Sequence, residues 1–257
     1  MGKVIKSTLN HIPREALQRV AGWIVPVVGL LYLGRGKECP ICGAKRRRFL
    51  PYGYGDVRQN ALCPSCLSLE RHRLLWLYFT RHTTLFTQRP TMLHIAPEVL
   101  FMRRFKRLYS DKKEQYITAD LSSPLATMHF DVQDIPLPDD SVEMVMCNHV
   151  MEHVESDTKA LSELYRILRP GGWGILLAPI DYDRESTFED DSITDPAERA
   201  RIFGQYDHRR IYGRDYAERL RQVGFSVTEF DMYGELTEAE RKLYSLQSEI
   251  IYRVDKL

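Results

Sequence analysis

Apolar and polar positions along residues 68–257 alternate between a strand-like and a helix-like period. Leu69, Leu74, Leu75, Leu77, Tyr78 and Phe79 supply the apolar face of a helix over residues 68–83. Residues 91–96 read as a buried strand, and 116–119 as a second that ends at Asp120. A short third strand over 127–130 ends at Asp131, and 142–147 form a fourth. Ala160, Leu161, Leu164 and Leu168 fall on one face of a helix over 157–168, which Pro170-Gly171-Gly172 is expected to stop. A fifth strand follows at 173–178, and Tyr216, Leu220 and Val223 mark another helix. Residues 225–230 and 250–254 complete the set. Strands alternating with helices at this spacing predict an α/β fold with a doubly wound, mostly parallel sheet. In such sheets ligands sit beyond the carboxyl ends of the strands, which makes the strand-end acids Asp120 and Asp131 candidate binding residues.

Cysteine spacing adds a second module. Cys39 and Cys42, then Cys63 and Cys66, form two pairs with two intervening residues each, separated by twenty. That is the spacing of a zinc ribbon: each tight turn aims two thiolates at one ion, and four sulfurs leave no open position. The expected metal is therefore a structural Zn2+, and thiolates that must stay reduced point to a cytoplasmic protein. Cys147 closes an apolar strand and is expected to pack as a small hydrophobe.

Charge is distributed unevenly. The net value of +1 combines 19 Lys and Arg against 5 Asp and Glu in residues 1–110 with 17 against 30 in residues 111–257. The basic half is expected to meet an anionic partner or to cover the protein's own acidic half. Residues 1–36 are basic and then apolar through Trp23, Pro26 and Tyr32, so they are expected to dock on the protein's core or lie at the inner membrane face on anionic headgroups. Lys45, Arg46, Arg47 and Arg48, with Phe49, Tyr52 and Tyr54 nearby, have the basic-aromatic interleaving of an RNA-binding surface or of a solvated ribbon. No apolar run reaches the ~18 residues of a membrane span.

Three stretches carry a family resemblance. They are residues 130–141 (FDVQDIPLPDDS), residues 148–154 (NHVMEHV) and residues 164–172 (LYRILRPGG). Together they resemble the class I S-adenosylmethionine-dependent methyltransferases of the ubiquinone/menaquinone type, over about residues 91–180. The Leu93-His94-Ile95-Ala96-Pro97-Glu98 loop further resembles a bacterial subgroup with an amino-terminal Cys-pair ribbon. The resemblance implies a Rossmann-like sheet of seven strands and S-adenosyl-L-methionine as cofactor. It implies that Asp120 holds the ribose, that Asp131 and Val132 meet the adenine edge, and that Asn148 lines the methionine end. In the first loop His94 stands where the family carries an acid, and Ala96 where it carries glycine; Glu98 is the acid within reach of the cofactor's amino group.

The expected domains are a docking segment at 1–36, a ribbon at 37–68 and a methyltransferase domain at 69–257 with a substrate-side insertion at about 180–215. Candidates for a general base are His149, His153 and His208, with Asp207 and Tyr212 as neighbours of His208 in the stretch 203–212. The acidic run Glu189, Asp190, Asp191 and Asp195 is expected to be a solvated loop. The methyl acceptor is unidentified. A small molecule, lipid or glycan intermediate is favoured, an RNA gripped by the basic ribbon is the alternative, and a non-enzymatic adaptor is a third reading that follows from the glycine-free loop. The sequence carries no signal for the oligomeric state.

Overall fold

The computed structural model describes residues 29–53 and 57–257. Most of the expected docking segment, residues 1–28, and Tyr54 of the basic-aromatic stretch lie outside the described residues. The strands are β1 (Leu33–Glu38), β2 (Lys45–Arg46), β3 (Leu50–Tyr52), β4 (Arg58–Leu62), β5 (Met92–Ile95), β6 (Tyr116–Asp120), β7 (Met128–His129), β8 (Val142–Asn148), β9 (Leu168–Leu177), β10 (Phe188–Glu189), β11 (Arg210–Ile211), β12 (Ser226–Phe230) and β13 (Ile251–Asp255). The principal helices are α1 (Glu70–His82), α2 (Val99–Leu108), α3 (Asp157–Ile167), α4 (Pro196–Ile202), α5 (Tyr216–Gln222) and α6 (Glu238–Tyr244).

The chain divides into two compact units. One runs to His82 and takes in Met232–Glu249; the other comprises Thr83–Asp231 and Ile250–Leu257. Packing thus draws α1 and the 232–249 excursion into the ribbon unit, although the sequence places both after residue 69. Arg73 on α1 is the physical reason. Its guanidinium is fully buried and donates to the carbonyls of Ala61 and Ser68 on one side and of Tyr244 and Ser245 on the other. The face of the Phe49 ring, 4.8 Å away, completes its surroundings. A buried guanidinium is tolerable when its donors are all directed at acceptors, and this one stitches four chain segments together.

The second unit contains a seven-stranded sheet in the order β12-β13-β9-β8-β5-β6-β7, the Rossmann-like methyltransferase arrangement. β9, β8, β5, β6 and β7 run parallel, while β13 is antiparallel to both β9 and β12. Every residue of β5, and every residue of β8 but Glu143, is buried, as central parallel strands covered on both faces must be. The expected third strand contracts to the two residues of β7, an edge strand paired only with Ala119 and Asp120.

One expected boundary moves. α3 ends at Ile167, and Leu168 is already extended, so strand β9 starts before the Pro-Gly-Gly run. Val142 pairs with Leu168 and Met144 with Trp173, so Arg169–Gly172 bulges out opposite Glu143. Gly171 adopts φ +78° there, with its N–H donated to the Lys256 carbonyl at 2.7 Å. These residues shape a bulge in the strand and do not terminate the helix.

Candidate functional site

Strand order reverses between β5 and β8, because β6 and β7 lie to one side of β5 and β9 to the other. The crevice beyond the carboxyl ends of β5 and β8 is the place where such a sheet binds its ligand. Three residues meet there. His94, at the third position of β5, is fully buried. Its Nδ1 pairs with the Tyr116 hydroxyl at 2.9 Å and its Nε2 with Glu98 Oε2 at 2.8 Å. Asn148, the last residue of β8, donates from Nδ2 to Glu98 Oε1 at 3.0 Å. The Glu98 carboxylate is thus fixed from both sides. His94, with both ring nitrogens engaged and no exposed surface, orients Glu98 and offers nothing of its own to a ligand. Asn148 Oδ1 is buried and has no hydrogen-bond partner among the described residues.

The loop that carries Glu98 accommodates the missing glycine by strain. Ala96 adopts φ +46°, the left-handed region that favours glycine, and its N–H donates to the Ala119 carbonyl at 2.7 Å. Asp120, half-buried at the end of β6, accepts at Oδ1 from the N–H groups of Ser122 (2.9 Å) and Ser123 (2.8 Å). Asp131 is exposed and turned onto Gln133, while the neighbouring Val132 is buried. Sequence reasoning named Glu98 and Asn148 but had no signal for Tyr116, which anchors the back of the His94 ring.

Beyond Asn148 the chain turns at His149, which has φ +54° and donates its N–H to the Leu177 carbonyl at 2.7 Å. The next residues are held from the stretch that follows β9. Arg210, 2% exposed, donates to the carbonyls of Met151 (2.6 Å), Val154 (2.7 Å) and Glu155 (2.9 Å). Tyr212 donates its hydroxyl to Asp157 at 2.9 Å, and Arg219 pairs with both Asp157 oxygens. Burial would push the Asp157 carboxyl up, but the adjoining Arg219, Arg210 and Tyr212 groups hold it below the usual carboxylate value.

This clamp brings His153, His208 and Asp207 together, while His149 pairs with Glu152. His153 Nδ1 lies 3.4 Å from Asp207 Oδ2, and the His153 and His208 rings meet edge to face at 4.7 Å. His149 Nδ1 lies 3.5 Å from Glu152 Oε1. Burial holds the His208 imidazole below its ordinary pKa, and His153 beside it acts in the same sense. Glu152, 2% exposed, was not singled out in the sequence although it lies within the NHVMEHV stretch. Cys147 is fully buried, and desolvation drives its thiol well above the ordinary value, as a packed residue requires.

In the ribbon unit all four sulfurs of Cys39, Cys42, Cys63 and Cys66 lie within 4.8 Å of one another, and none is in a disulfide. Cys39 and Cys66 Sγ are 3.6 Å apart and Cys42 and Cys63 Sγ 3.9 Å. Sulfurs at ~2.3 Å from one tetrahedral ion stand about 3.8 Å apart, so the thiols are already at ligand spacing. Each turn is closed by an N–H to the first cysteine's carbonyl, from Gly43 and from Leu67, both with positive φ. The Ser68 hydroxyl lies 3.3 Å from both Cys39 and Cys66 sulfurs. Arg73 places a buried positive charge beside Cys39, Cys63 and Cys66, which offsets the anionic character of four thiolates. The helices described in this unit and in the sheet unit are all too short and too polar to cross a membrane.

Comparison with known proteins agrees with this geometry. The family model of the methyltransferase domain matches residues 81–176. A probable S-adenosylmethionine-dependent methyltransferase of Mycolicibacterium smegmatis is 29% identical over 99 residues, which is 38% of this chain and 34% of that protein. A malonyl-(acyl-carrier protein) O-methyltransferase of Yersinia pestis is 30% identical over 95 residues, 37% of this chain and 30% of that protein. The matched segment thus spans about a third of each of these relatives. Among solved structures, the (4+2)-cyclase SpnF aligns with TM-score 0.51 and 13% identity over 93% of this chain and 96% of its own. That likeness shows the fold alone, and a fold does not by itself name a reaction. Residues 81–176 therefore carry a methyltransferase domain, set in the Rossmann-like fold of the S-adenosylmethionine-dependent methyltransferases.

Proposed function

We propose that this protein is an S-adenosylmethionine-dependent methyltransferase whose cofactor lies beyond β5, β6 and β8. The observation that carries the reading is the fixed Glu98 carboxylate beside the unpartnered, buried Asn148 Oδ1. Each carboxylate oxygen has more than one lone pair, and an orphaned amide oxygen wants a donor. Together they suit the ammonium end of an amino acid. Asp120 suits the ribose hydroxyls, as an acid at the end of the second strand does in dinucleotide folds. The left-handed backbone at Ala96 keeps the glycine-type course of the loop, which favours a binding site over the adaptor reading. Residues 131 and 132 suit the adenine edge. The cofactor would supply an electrophilic methyl group on a sulfonium. The protein's own contribution is to orient the acceptor in line with that methyl group and to exclude water, and orientation accounts for much of the rate in such displacements.

A small-molecule, lipid or glycan acceptor is the reading taken for the substrate. The RNA alternative leans on Lys45–Arg48, and those side chains are engaged locally. Lys45 pairs with Glu38 at 3.6 Å, Arg47 donates to the Leu31 carbonyl at 2.7 Å, and Arg47 and Arg48 both stack on Tyr32. We infer likewise that Cys39, Cys42, Cys63 and Cys66 hold a structural Zn2+, from the match of sulfur spacing to a tetrahedral ion.

Calorimetric titration with S-adenosylmethionine is the test, beside Asp120→Ala and Glu98→Gln. Saturable binding is expected for the wild type, weakened about tenfold or more in each variant, since a charged hydrogen bond is worth about 1.5–3 kcal/mol. Absence of binding at millimolar cofactor would overturn the proposal and move the adaptor reading to first place.

A further inference from the structure

Glu152, His153 and His208 are unaccounted for by cofactor binding, and their arrangement is that of a ligand set. One donor atom from each lies within 4.8 Å of the other two. Glu152 is 2% exposed, and its Oε2 is buried with no hydrogen-bond partner among the described residues. A carboxylate oxygen left unpaired in an interior is costly, and a cation is the partner that most fully offsets it. The imidazoles are already oriented from behind. His208 Nδ1 is 3.2 Å from the Phe203 carbonyl, which fixes the proton on that nitrogen and leaves Nε2 as a lone-pair donor. Asp207 Oδ2 stands 3.4 Å from His153 Nδ1 and places a carboxylate beside the second ring. A carboxylate or carbonyl behind a histidine is the usual support of a metal-bound imidazole. The Arg209 N–H, donated to the Glu152 carbonyl at 2.8 Å, ties the segment bearing His208 to the one bearing Glu152.

We propose that Glu152, His153 and His208 bind a divalent transition-metal ion through one carboxylate oxygen and two imidazole nitrogens. Neighbouring ligands at ~2.1 Å from a shared ion stand about 3.0–3.4 Å apart, so the donors would close on it by side-chain rotation. Two imidazoles and one carboxylate suit zinc, iron(II), cobalt(II) or nickel(II) in preference to magnesium, whose ligands are oxygens and water. Three protein ligands leave coordination positions open, the mark of a site that takes a substrate or water.

Resting on the methyltransferase reading, this site suits a hydroxyl acceptor, the weak nucleophile that most needs its proton removed. An acceptor hydroxyl bound to the ion loses its proton to solvent more readily. The oxygen lone pair then forms the O–CH3 bond as the C–S bond of the sulfonium breaks, its electron pair returning to sulfur. In that case His153 and His208 are ligands and not proton carriers.

The test uses the full chain with its ribbon loaded with zinc, titrated with cobalt(II) and read by visible absorption and calorimetry. One further cobalt ion per chain is expected, with a spectrum of nitrogen and oxygen ligation and without the sulfur-to-metal bands of a thiolate site. Glu152→Gln and His208→Asn are each expected to weaken cobalt binding by about 100-fold, while retaining wild-type melting behaviour. Unchanged cobalt binding in both variants would mean an adventitious ion only and would overturn the site, as would no saturable binding in the wild type. A cofactor titration run in parallel separates the two proposals. Cobalt bound without S-adenosylmethionine keeps the metal site and removes the methyltransferase reading; the reverse removes the metal site alone.

Discussion

The ribbon unit and the sheet unit reach order by different routes. In the ribbon unit, strands of two to six residues pair two by two, and Cys39, Cys63, Glu70 and Arg73 are buried beside apolar groups such as Phe49 and the inner face of α1. In the sheet unit, the central strands β5 and β8 bury almost every residue, and the buried polar groups, among them His94, Thr118, Asn148 and Glu152, lie on or just after β5, β6 and β8 or in the Asp157–Arg210–Arg219 network. A short module without enough apolar surface needs a metal or a similar staple, whereas a sheet of this size supplies its own core. The lesson is that the cost of a polar error differs. In the ribbon, polar groups hold the structure together; in the sheet unit, they chiefly place the site.

Metal removal should break the comparison most widely. Stripping zinc from the ribbon with a strong chelator should abolish its hydrogen-exchange protection over residues 29–82 and 232–249 while residues 83–231 stay protected. Structural zinc contributes about 10–16 kcal/mol of apparent binding energy in such modules. Equal loss of protection in both units would contradict the division. Next in size is Arg73→Met, which leaves the Ala61, Ser68, Tyr244 and Ser245 carbonyls without their donor. It should destabilise by about 3–5 kcal/mol in denaturant melts.

Asp157→Asn sharpens the other side of the comparison, because it uncouples Arg219 and Tyr212 in the sheet unit. About 3 kcal/mol of destabilisation at neutral pH is expected. The folded carboxyl titrates below its unfolded value of ~3.9. Its contribution is therefore complete above that value and is lost as pH falls through the lower folded value. The wild-type advantage over Asp157→Asn should shrink below about pH 4, measured by acid-dependent melting. Gly174→Ala is expected to have the smallest effect of the four, about 1–3 kcal/mol. A Cβ there would lie 2.9 Å from the Val145 carbonyl oxygen, between β8 and β13, where the backbone has little room to shift.

Much of this protein was written locally in its chain. The two Cys pairs, the order of strands and helices, and the acids at or just after the ends of β5, β6 and β7 all depend on spacing over a few residues, which is what sequence periodicity and turn chemistry record. Glu98, Asp120 and Asn148 stand at such positions, at the end of a strand or a few residues past it. Tertiary structure alone decided the rest. Arg73 and Arg210 read as ordinary surface cations, yet each is buried and bonded to carbonyls 171 and 59 residues away in sequence. His94 became the support of Glu98 only because β5 and β6 are neighbours and bring Tyr116 behind it. His153 and His208 met only because the insertion folds back over the loop after β8. Contacts between distant segments depend on which desolvated groups can satisfy one another, and no local pattern of apolar and polar positions encodes that choice.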